Sequence, residues 1–413
     1  MRRSLLAMGL AAALPLTLIQ TLIGCDSSSN PDPEPEPPEL PDAATATDSG
    51  TSVRDAEPPR DASAPKDADV ALDARREGGL TLGDPIVVSP ADQEKWVWVP
   101  IPDMHCSDGS SAGVAVNFTN KSRDLVIFFQ GGGACWNAVT CATQGENLKP
   151  VGPNIGDWMP GADGHSGIFN RADASNPLTK ANFVYVPYCT GDGHLGNKVA
   201  SYGVHHVGYA NATAALKRIV PTFTDAPNIV VAGFSAGGMG VTGNYHQIAA
   251  AFEAVGRPVI TSINDSGPVL RKPYLTENTQ NTLRNAWGLD KTIETWCPTC
   301  KTEGFHDIYR RMAELHPGQR GSLISSYDDH VVRLLYGALG SGVEFGRLRE
   351  GLLDLATWED GFQTKVAPST LRQFYYGGDR HGAIEIYPLS DTPGLVPFLK
   401  EQLGAGTWKS VRP

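Results

Sequence analysis

The residues best suited to chemistry lie in the segment Gly233-Phe234-Ser235-Ala236-Gly237, a G-x-S-x-G pattern. An apolar run precedes it and helix-compatible residues follow, which is the strand–turn–helix context of a nucleophile elbow. Such a turn exposes the serine hydroxyl at the start of a helix, where free N–H groups stabilise an oxyanion. The pattern predicts Ser235 as a nucleophile for acyl transfer and the N–H of Ala236 as an oxyanion donor. A glycine-rich turn with an incidental serine is the alternative.

A second glycine cluster follows another apolar run, where Leu125–Gln130 leads into Gly131-Gly132-Gly133-Ala134-Cys135-Trp136. Glycines at the end of a strand let backbone N–H groups point into a cleft without steric hindrance. Lipases and esterases place an oxyanion-binding loop of this kind at the corresponding position. We therefore expect Gly132 and Gly133 to complete the oxyanion hole, with Trp136 as a possible substrate contact. A loop kept small for packing is the alternative.

The general base is predicted to be His381, in Gly377-Gly378-Asp379-Arg380-His381-Gly382. It follows the last candidate strand and lies C-terminal to both the serine and the acid, in the chain order Ser…Asp…His of α/β-hydrolases. The other histidines are expected to be non-catalytic. Asp192 and His194 are predicted as further possible substrate contacts, because they lie in a short glycine-rich segment that could line the cleft.

Three carboxylates follow candidate strands and could orient the histidine: Asp265, Asp328 and Asp329. Catalytic residues of open α/β sheets gather at the carboxyl ends of strands. Asp328 is the first carboxylate beyond the predicted strand 323–327, and it is the expected acid. Asp329 would point the opposite way in an extended segment. Asp265 is the alternative acid, and its other possible role is to brace the following turn.

Elements that position these residues alternate between strands and helices, which predicts a mostly parallel sheet with right-handed crossovers. Continuous apolar runs are typical of parallel strands covered on both faces. We expect an α/β-hydrolase-type fold with helices on both faces and a helical insertion. The predicted strands are Trp96–Pro100, Gly113–Phe118, Asp124–Phe129, Asn182–Pro187, Asn228–Ala232, Pro258–Asn264, Ser322–Ser326 and Arg372–Tyr376. The predicted helices are Tyr209–Val220, Gly238–Ala254, Thr282–Asp290 and a last one starting at Pro393.

The first 25 residues have the layout of a secretory signal, with Arg2 and Arg3 before the apolar run Leu5–Ile19. The ending Leu22-Ile23-Gly24-Cys25 resembles a bacterial lipobox, which predicts Cys25 as the lipidated first residue of the mature protein. An ordinary cleaved signal is the alternative. We expect an exported lipoprotein anchored to a bacterial membrane, at the cell surface or in the periplasm.

Residues 26–80 are rich in Pro, Asp, Glu, Ser, Ala and Thr and carry 14 acidic and 5 basic residues, most of the chain's net charge of −11. This composition cannot bury enough apolar surface to offset the entropy of ordering, so a disordered acidic linker is predicted. The catalytic domain is expected to comprise residues 81–413. No basic patch stands out in the chain, so nucleic acid is not expected as a partner.

Six cysteines remain besides Cys25, an even number that favours disulfides in an exported domain. The favoured pairs are Cys135–Cys141, Cys297–Cys300 and Cys106–Cys189. The C-x-x-C at Cys297 could instead bind zinc or act in redox chemistry. Zinc would need two more ligands at ordinary spacing, and redox chemistry a strand–helix junction, so neither is expected. No metal or cofactor is predicted.

Taken in order, these motifs resemble the pectin acetylesterase/Notum family of serine esterases. The resemblance covers Cys106 to His381 and rests on the glycine loop with its Cys-Trp, Val186-Pro187-Tyr188-Cys189, the G-F-S-A-G-G elbow, Asn264-Asp265-Ser266-Gly267, Tyr327-Asp328 and the late histidine. It implies Ser235 as nucleophile, Asp328 as acid and His381 as base, with Gly132, Gly133 and Ala236 as the oxyanion hole. Plant-type members have a tryptophan soon after the loop glycines; here Gly133 and Ala134 occupy those places.

The sequence thus predicts a serine esterase that removes short acyl groups, by the resemblance acetyl, from a polysaccharide such as pectin through an acyl-enzyme. Two alternatives remain open. One is a lipase or protein deacylase with a longer acyl pocket. The other is a non-catalytic carbohydrate-binding surface lipoprotein on the same scaffold.

Overall fold

The computed structural model describes residues 79–144, 148, 152, 167–257, 260–338, 347–363 and 370–413. The predicted signal sequence, the lipidation site Cys25 and all but the last two residues of the predicted linker lie outside these residues. Within them, no helix has both the length and the apolar character needed to cross a bilayer.

An eight-stranded sheet forms the centre of the described catalytic region, and its strands are β1 Val97–His105, β2 Ser111–Asn117, β3 Leu125–Phe129, β4 Asn182–Val186, β7 Ile229–Phe234, β8 Thr261–Asp265, β9 Arg320–Ser326 and β10 Thr370–Tyr376. Their order in the sheet is β1-β2-β4-β3-β7-β8-β9-β10. From β4 to β10 all neighbours are parallel, whereas β2 pairs antiparallel with both β1 and β4. Each of the eight predicted strands has a counterpart in this sheet, although residues 258 and 259 of the predicted strand Pro258–Asn264 lie outside the described residues. Two further strands, β5 Lys198–Val199 and β6 His205–His206, form a separate short ladder.

Helices cover both faces of the sheet, as predicted. Alternate residues of β3 enter two different cores: Ile127 packs on one face and Phe128 on the other. On the first face lie α2 (Gly208–Thr222) and α3 (Ala236–Glu253), and on the second lies α10 (Leu395–Leu403). The remaining helices are α1 Ala138–Ala142, α4 Glu277–Trp287, α5 Ile293–Trp296, α6 Thr299–Thr302, α7 Ile308–Leu315, α8 His330–Ala338 and α9 Leu348–Gln363.

The predicted helical insertion corresponds to α4–α7, between β8 and β9. The predicted helix Thr282–Asp290 begins earlier, at Glu277, because the Thr276 side chain accepts a hydrogen bond from the N–H of Thr279 and caps it. The last helix starts at Leu395 rather than at Pro393. Gly394 has φ 86°, a left-handed conformation that a helix interior does not accommodate, so the helix begins only after it.

Three disulfides join the six cysteines in the predicted pairs, Cys106–Cys189, Cys135–Cys141 and Cys297–Cys300. The first ties the residue after β1 to the segment after β4. The second closes a short loop between the glycine cluster and α1. These two bridges lie in segments that flank the carboxyl edge of β3 and β4, where the glycine loop begins.

Candidate active site

Ser235 occupies a sharp turn between β7 and α3, with φ 58° and ψ −121°. A non-glycine residue with this conformation is strained, and such strain clusters at functional sites. The turn also depends on its glycines, because a Cβ on Gly237 would overlap the carbonyl of Phe129 in the neighbouring strand. The N–H of Ser235 donates to the carbonyl of Asp265 at 2.7 Å, which fixes the turn to the end of β8. This is the geometry of a nucleophile elbow.

The glycine loop after β3 lies directly against this elbow. A Cβ on Gly131 would lie 3.0 Å from the Cβ of Ser235, and one on Gly132 would overlap the ring of Tyr188. Tyr188 also supports the loop through its hydroxyl, which donates to the carbonyl of Gly133 at 2.9 Å. The close approach leaves no room for side chains at Gly131 and Gly132, so the backbone of the loop lies against the turn that carries Ser235.

Asp192 and His194 lie behind the glycine loop and not in the cleft, so their prediction as substrate contacts is wrong. Asp192 is fully buried, and its carboxylate accepts hydrogen bonds from the N–H groups of His194, Gly196 and Gly208 and from the Thr190 hydroxyl. These bonds use the acceptor capacity that a substrate would need.

His194 is also buried, and burial lowers its pKa to about 4, so the imidazole is neutral at neutral pH. Its Nε2 lies 2.9 Å from the carbonyl oxygen of Gln130 and donates to it. This bond supports the loop from behind. Of the three predicted contacts, only Trp136 remains partly exposed beside the loop, and it stays a candidate wall of the cleft.

The imidazole of His381 pairs with Asp329, not with Asp328. Its Nδ1 lies 2.8 and 2.9 Å from the two carboxylate oxygens of Asp329, which is fully buried. The expectation that Asp328 orients His381 is therefore wrong. The alternation of side chains that argued against Asp329 holds only in extended chain, and β9 ends at Ser326. Residues 327 and 328 form a turn that brings Asp329 back towards the histidine.

Asp329 has a second role that the sequence could have indicated. Its Oδ1 accepts hydrogen bonds from the N–H groups of Val331 and Val332, both at 3.0 Å, and so caps α8. Aspartate is a preferred N-cap residue because it satisfies the free N–H groups of the first turn. The Asp-Asp-His sequence before an apolar helical run is the signal for that cap, and the cap fixes the carboxylate that His381 uses.

His381 is held close to the nucleophile elbow. Its ring centroid lies 4.7 Å from that of Phe234, the residue before Ser235. Gly382 packs against the same ring so closely that a Cβ there would overlap it. The side chain of His381 is 13% exposed, so the imidazole is partly accessible while its carboxylate partner is not.

Asp265, the alternative acid, bonds elsewhere. Its Oδ2 accepts hydrogen bonds from the backbone N–H groups of Ala383 and Ile384, at 2.7 and 2.9 Å. Burial raises the pKa of Asp265 to about 6, and these N–H groups oppose that shift. The carboxylate therefore braces the segment that follows His381.

An apolar cavity of about 40 Å³ lies beneath the helical insertion and reaches Met239, one turn of α3 beyond Ser235. It is lined among others by Val269, Leu275, Trp287, Ile293 and Phe305. Its lining is almost entirely apolar and suits a hydrocarbon group better than a sugar.

Potential metal ligands converge at one place among the described residues, where Cys135, Cys141 and His206 lie together. The two cysteines form a disulfide and offer no thiolate. The Nδ1 and Nε2 atoms of His206 lie within hydrogen-bond distance of the Thr190 carbonyl and the Tyr202 hydroxyl. These residues do not suit a metal ion in this state.

Four features together define an α/β-hydrolase: a mostly parallel sheet, a strained serine elbow, a glycine loop against that elbow, and at the same edge a histidine paired with a buried carboxylate. A family model described as pectinacetylesterase matches residues 100–304. The chain belongs to the pectin acetylesterase/Notum family. The match includes the glycine loop, Ser235 and Asp265, and it ends before Asp329 and His381.

Sequence similarity to curated proteins supports the same family assignment. The chain is 32% identical to palmitoleoyl-protein carboxylesterase notum2 of Xenopus laevis over 151 residues, 36% of this chain and 31% of that one. It is 29% identical to NOTUM of Homo sapiens over 168 residues, 39% and 34% of the two chains. It is also 31% identical over 107 residues, 26% and 76%, to the inactive palmitoleoyl-protein carboxylesterase notum1b of Danio rerio. The chain thus spans about a third of the length of the first two.

Proposed function

We propose that this protein is an exported serine carboxylesterase with the triad Ser235, His381 and Asp329. The observation that carries the proposal is the pair of His381 with the buried carboxylate of Asp329, packed through Phe234 against the strained elbow of Ser235. Three disulfides are consistent with an oxidising compartment.

In the proposed reaction, the Ser235 hydroxyl attacks the ester carbonyl while Nε2 of His381 accepts its proton. Asp329 holds the imidazole with its proton on Nδ1 and stabilises the imidazolium that forms. Backbone N–H groups of Ala236 and of Gly132 or Gly133 stabilise the oxyanion, and each such donor contributes on the order of 10²–10³ in kcat. The alcohol leaves with the proton from His381. Water then releases the acyl group by the same steps.

We propose a short acyl group, in particular acetyl carried on a polysaccharide such as pectin, as the substrate class. The description of the matching family model supports this choice. The size of the cavity beside Met239 also supports a short acyl group. One water needs about 10–15 Å³, so a cavity of about 40 Å³ holds only a few groups the size of a water molecule.

A longer acyl chain is the second candidate, and the apolar lining of the same cavity favours it. The relatives are named for removing palmitoleoyl groups from proteins. A chain of that length would require the lining helices of the insertion to move apart, and hydrolysis of p-nitrophenyl esters of increasing chain length distinguishes the two.

We further propose that lipidation at Cys25 and the acidic linker hold the catalytic domain near a bacterial membrane. This rests on the lipobox-like ending and on the composition of residues 26–80. Loss of membrane association in Cys25→Ser would support the anchor, and an unlipidated mature N-terminus would contradict it.

The test of the esterase itself is Ser235→Ala, assayed with p-nitrophenyl acetate and acetylated pectin and by labelling with a fluorophosphonate. We expect loss of labelling and a fall in kcat on the order of 10⁶, because only the nucleophilic hydroxyl is removed. Wild-type labelling and hydrolysis in this variant would exclude the triad. A wild-type protein that binds pectin but neither labels nor hydrolyses any ester would instead support the non-catalytic alternative.

A further inference from the structure

Three consecutive backbone N–H groups after His381 are held by two adjacent side chains at the end of β8. The N–H of Gly382 donates to the hydroxyl of Ser266 at 3.1 Å. Those of Ala383 and Ile384 donate to Oδ2 of Asp265. The Ser266 hydroxyl in turn donates to Oδ1 of Asp265 at 3.1 Å, so that the two side chains act as one acceptor unit.

Both residues of this unit are buried, with Asp265 at 0% and Ser266 at 2% exposure. Ser266 has φ 58°, so its backbone is strained, and its N–H donates to the carbonyl of Ile324 in β9 at 2.8 Å. Strained backbone persists only where the surroundings over-determine it. Of the four non-glycine residues with positive φ in the described chain, three are at this edge: His194, Ser235 and Ser266.

Asp265 also holds the nucleophile. Its backbone carbonyl accepts the N–H of Ser235 at 2.7 Å, and it pairs with Phe234 in the β7–β8 register. One residue therefore contacts the turn that carries the nucleophile through its main chain and the segment that carries the base through its side chain. The ring of Phe234 fills the space between them, against His381 and Gly382.

We propose that Asp265 and Ser266 are positioning residues that set the placement of His381 relative to Ser235. The proposal rests on the proposed function, since it assigns a role within that triad. A displacement of about 1 Å in a catalytic group reduces turnover on the order of 10². The carboxylate acts by accepting hydrogen bonds from backbone N–H groups. A hydrogen-bond acceptor at this position should therefore matter more for turnover than a negative charge.

A graded pair of substitutions tests this point. Asp265→Ala removes both carboxylate oxygens, and we expect kcat for p-nitrophenyl acetate to fall on the order of 10² with KM within about threefold of wild type. Asp265→Asn retains an oxygen that can accept from Ala383 and Ile384, and we expect it to restore kcat to within about tenfold of wild type. A catalytic acid would behave differently, because its amide variant is nearly inactive.

Two further variants complete the design. Glu385→Gln is the matched control: Glu385 is another buried carboxyl in the same segment, bonded to the Tyr185 hydroxyl, and its replacement should leave kcat unchanged. Ser266→Gly removes the hydroxyl that holds Gly382 while relieving the strained φ. We expect a loss of kcat of roughly tenfold with an unchanged Tm, which keeps the test decisive if Asp265→Ala does not fold.

The proposal is overturned if folded Asp265→Ala, or Ser266→Gly, turns over like wild type, or if Glu385→Gln loses as much activity as Asp265→Ala. It is also overturned if Asp265→Asn is as inactive as Asp329→Asn, because Asp265 would then be the acid. Ser235→Ala is assayed in parallel. Activity in that variant would refute the esterase triad itself, whereas an inactive Ser235→Ala beside a fully active Asp265→Ala would refute the positioning role alone.

Discussion

Replacing Asp329 by asparagine is the most informative change at this site. The carboxylate has two tasks, since it accepts from Nδ1 of His381 and caps α8 through Oδ1. Asparagine has one acceptor oxygen and one NH₂ donor. If the oxygen keeps the cap, the NH₂ group faces the imidazole.

That orientation is favoured because the opposite one leaves the N–H groups of Val331 and Val332 without an acceptor, at about 1–3 kcal/mol for a buried group. An NH₂ group facing Nδ1 forces that nitrogen to accept, which places the imidazole proton on Nε2. Nε2 can then no longer accept the proton of Ser235. We expect kcat to fall on the order of 10⁴, the loss seen when a triad aspartate becomes an amide, or about 5 kcal/mol of transition-state stabilisation.

The assay is steady-state hydrolysis of p-nitrophenyl acetate, with thermal unfolding as a check of the fold. Tm should change little, because the cap on α8 remains. Asp328→Asn is the control: it changes an adjacent carboxyl that is partly exposed, and kcat should stay within about twofold of wild type. If Asp328→Asn abolishes turnover while Asp329→Asn is active, the assignment of the acid from this geometry is refuted.

The remaining predictions concern the apolar cavity beside Met239 and the pH dependence of stability. Acetyl esters should be cleaved with higher kcat/KM than octanoyl esters, and Met239→Trp, which narrows the cavity, should lower octanoyl hydrolysis more than acetyl hydrolysis; a wild-type preference for octanoyl would favour the longer-acyl alternative. Burial raises the pKa of Glu359 from 4.5 to about 8, so the folded state binds more protons than the unfolded chain between these values and stability falls as pH rises through about 8. Glu359→Gln should therefore match the wild-type Tm at pH 5 and exceed it by about 5 °C at pH 9; equal Tm values at both pH values would contradict this.

Local sequence patterns were sufficient for the strands and for the elbow. Runs such as Leu125–Phe129 are fully buried because parallel strands covered on both faces need apolar residues throughout. The strand–turn–helix context of Ser235 depends on residues within a few positions of it. Gly237 is part of that local pattern, and the structure shows the reason for it, because a Cβ there would overlap the carbonyl of Phe129 in the neighbouring strand. The choice of His381 as the base followed from its position after the last predicted strand, C-terminal to both the serine and the acid.

The tertiary structure decided which carboxylate meets the histidine. The direction of the chain after β9 is set by long-range bonds, from the N–H of Tyr327 to the carbonyl of Tyr376 and from that of Asp328 to Gly378. These partners lie on β10 and just beyond it, about 50 residues away in sequence, so no local pattern could show that the chain turns there. The same holds for Asp265. Its carboxylate accepts hydrogen bonds from backbone N–H groups more than 100 residues away in sequence. Only the folded structure brings these groups together and so shows that Asp265 supports this segment and does not pair with His381.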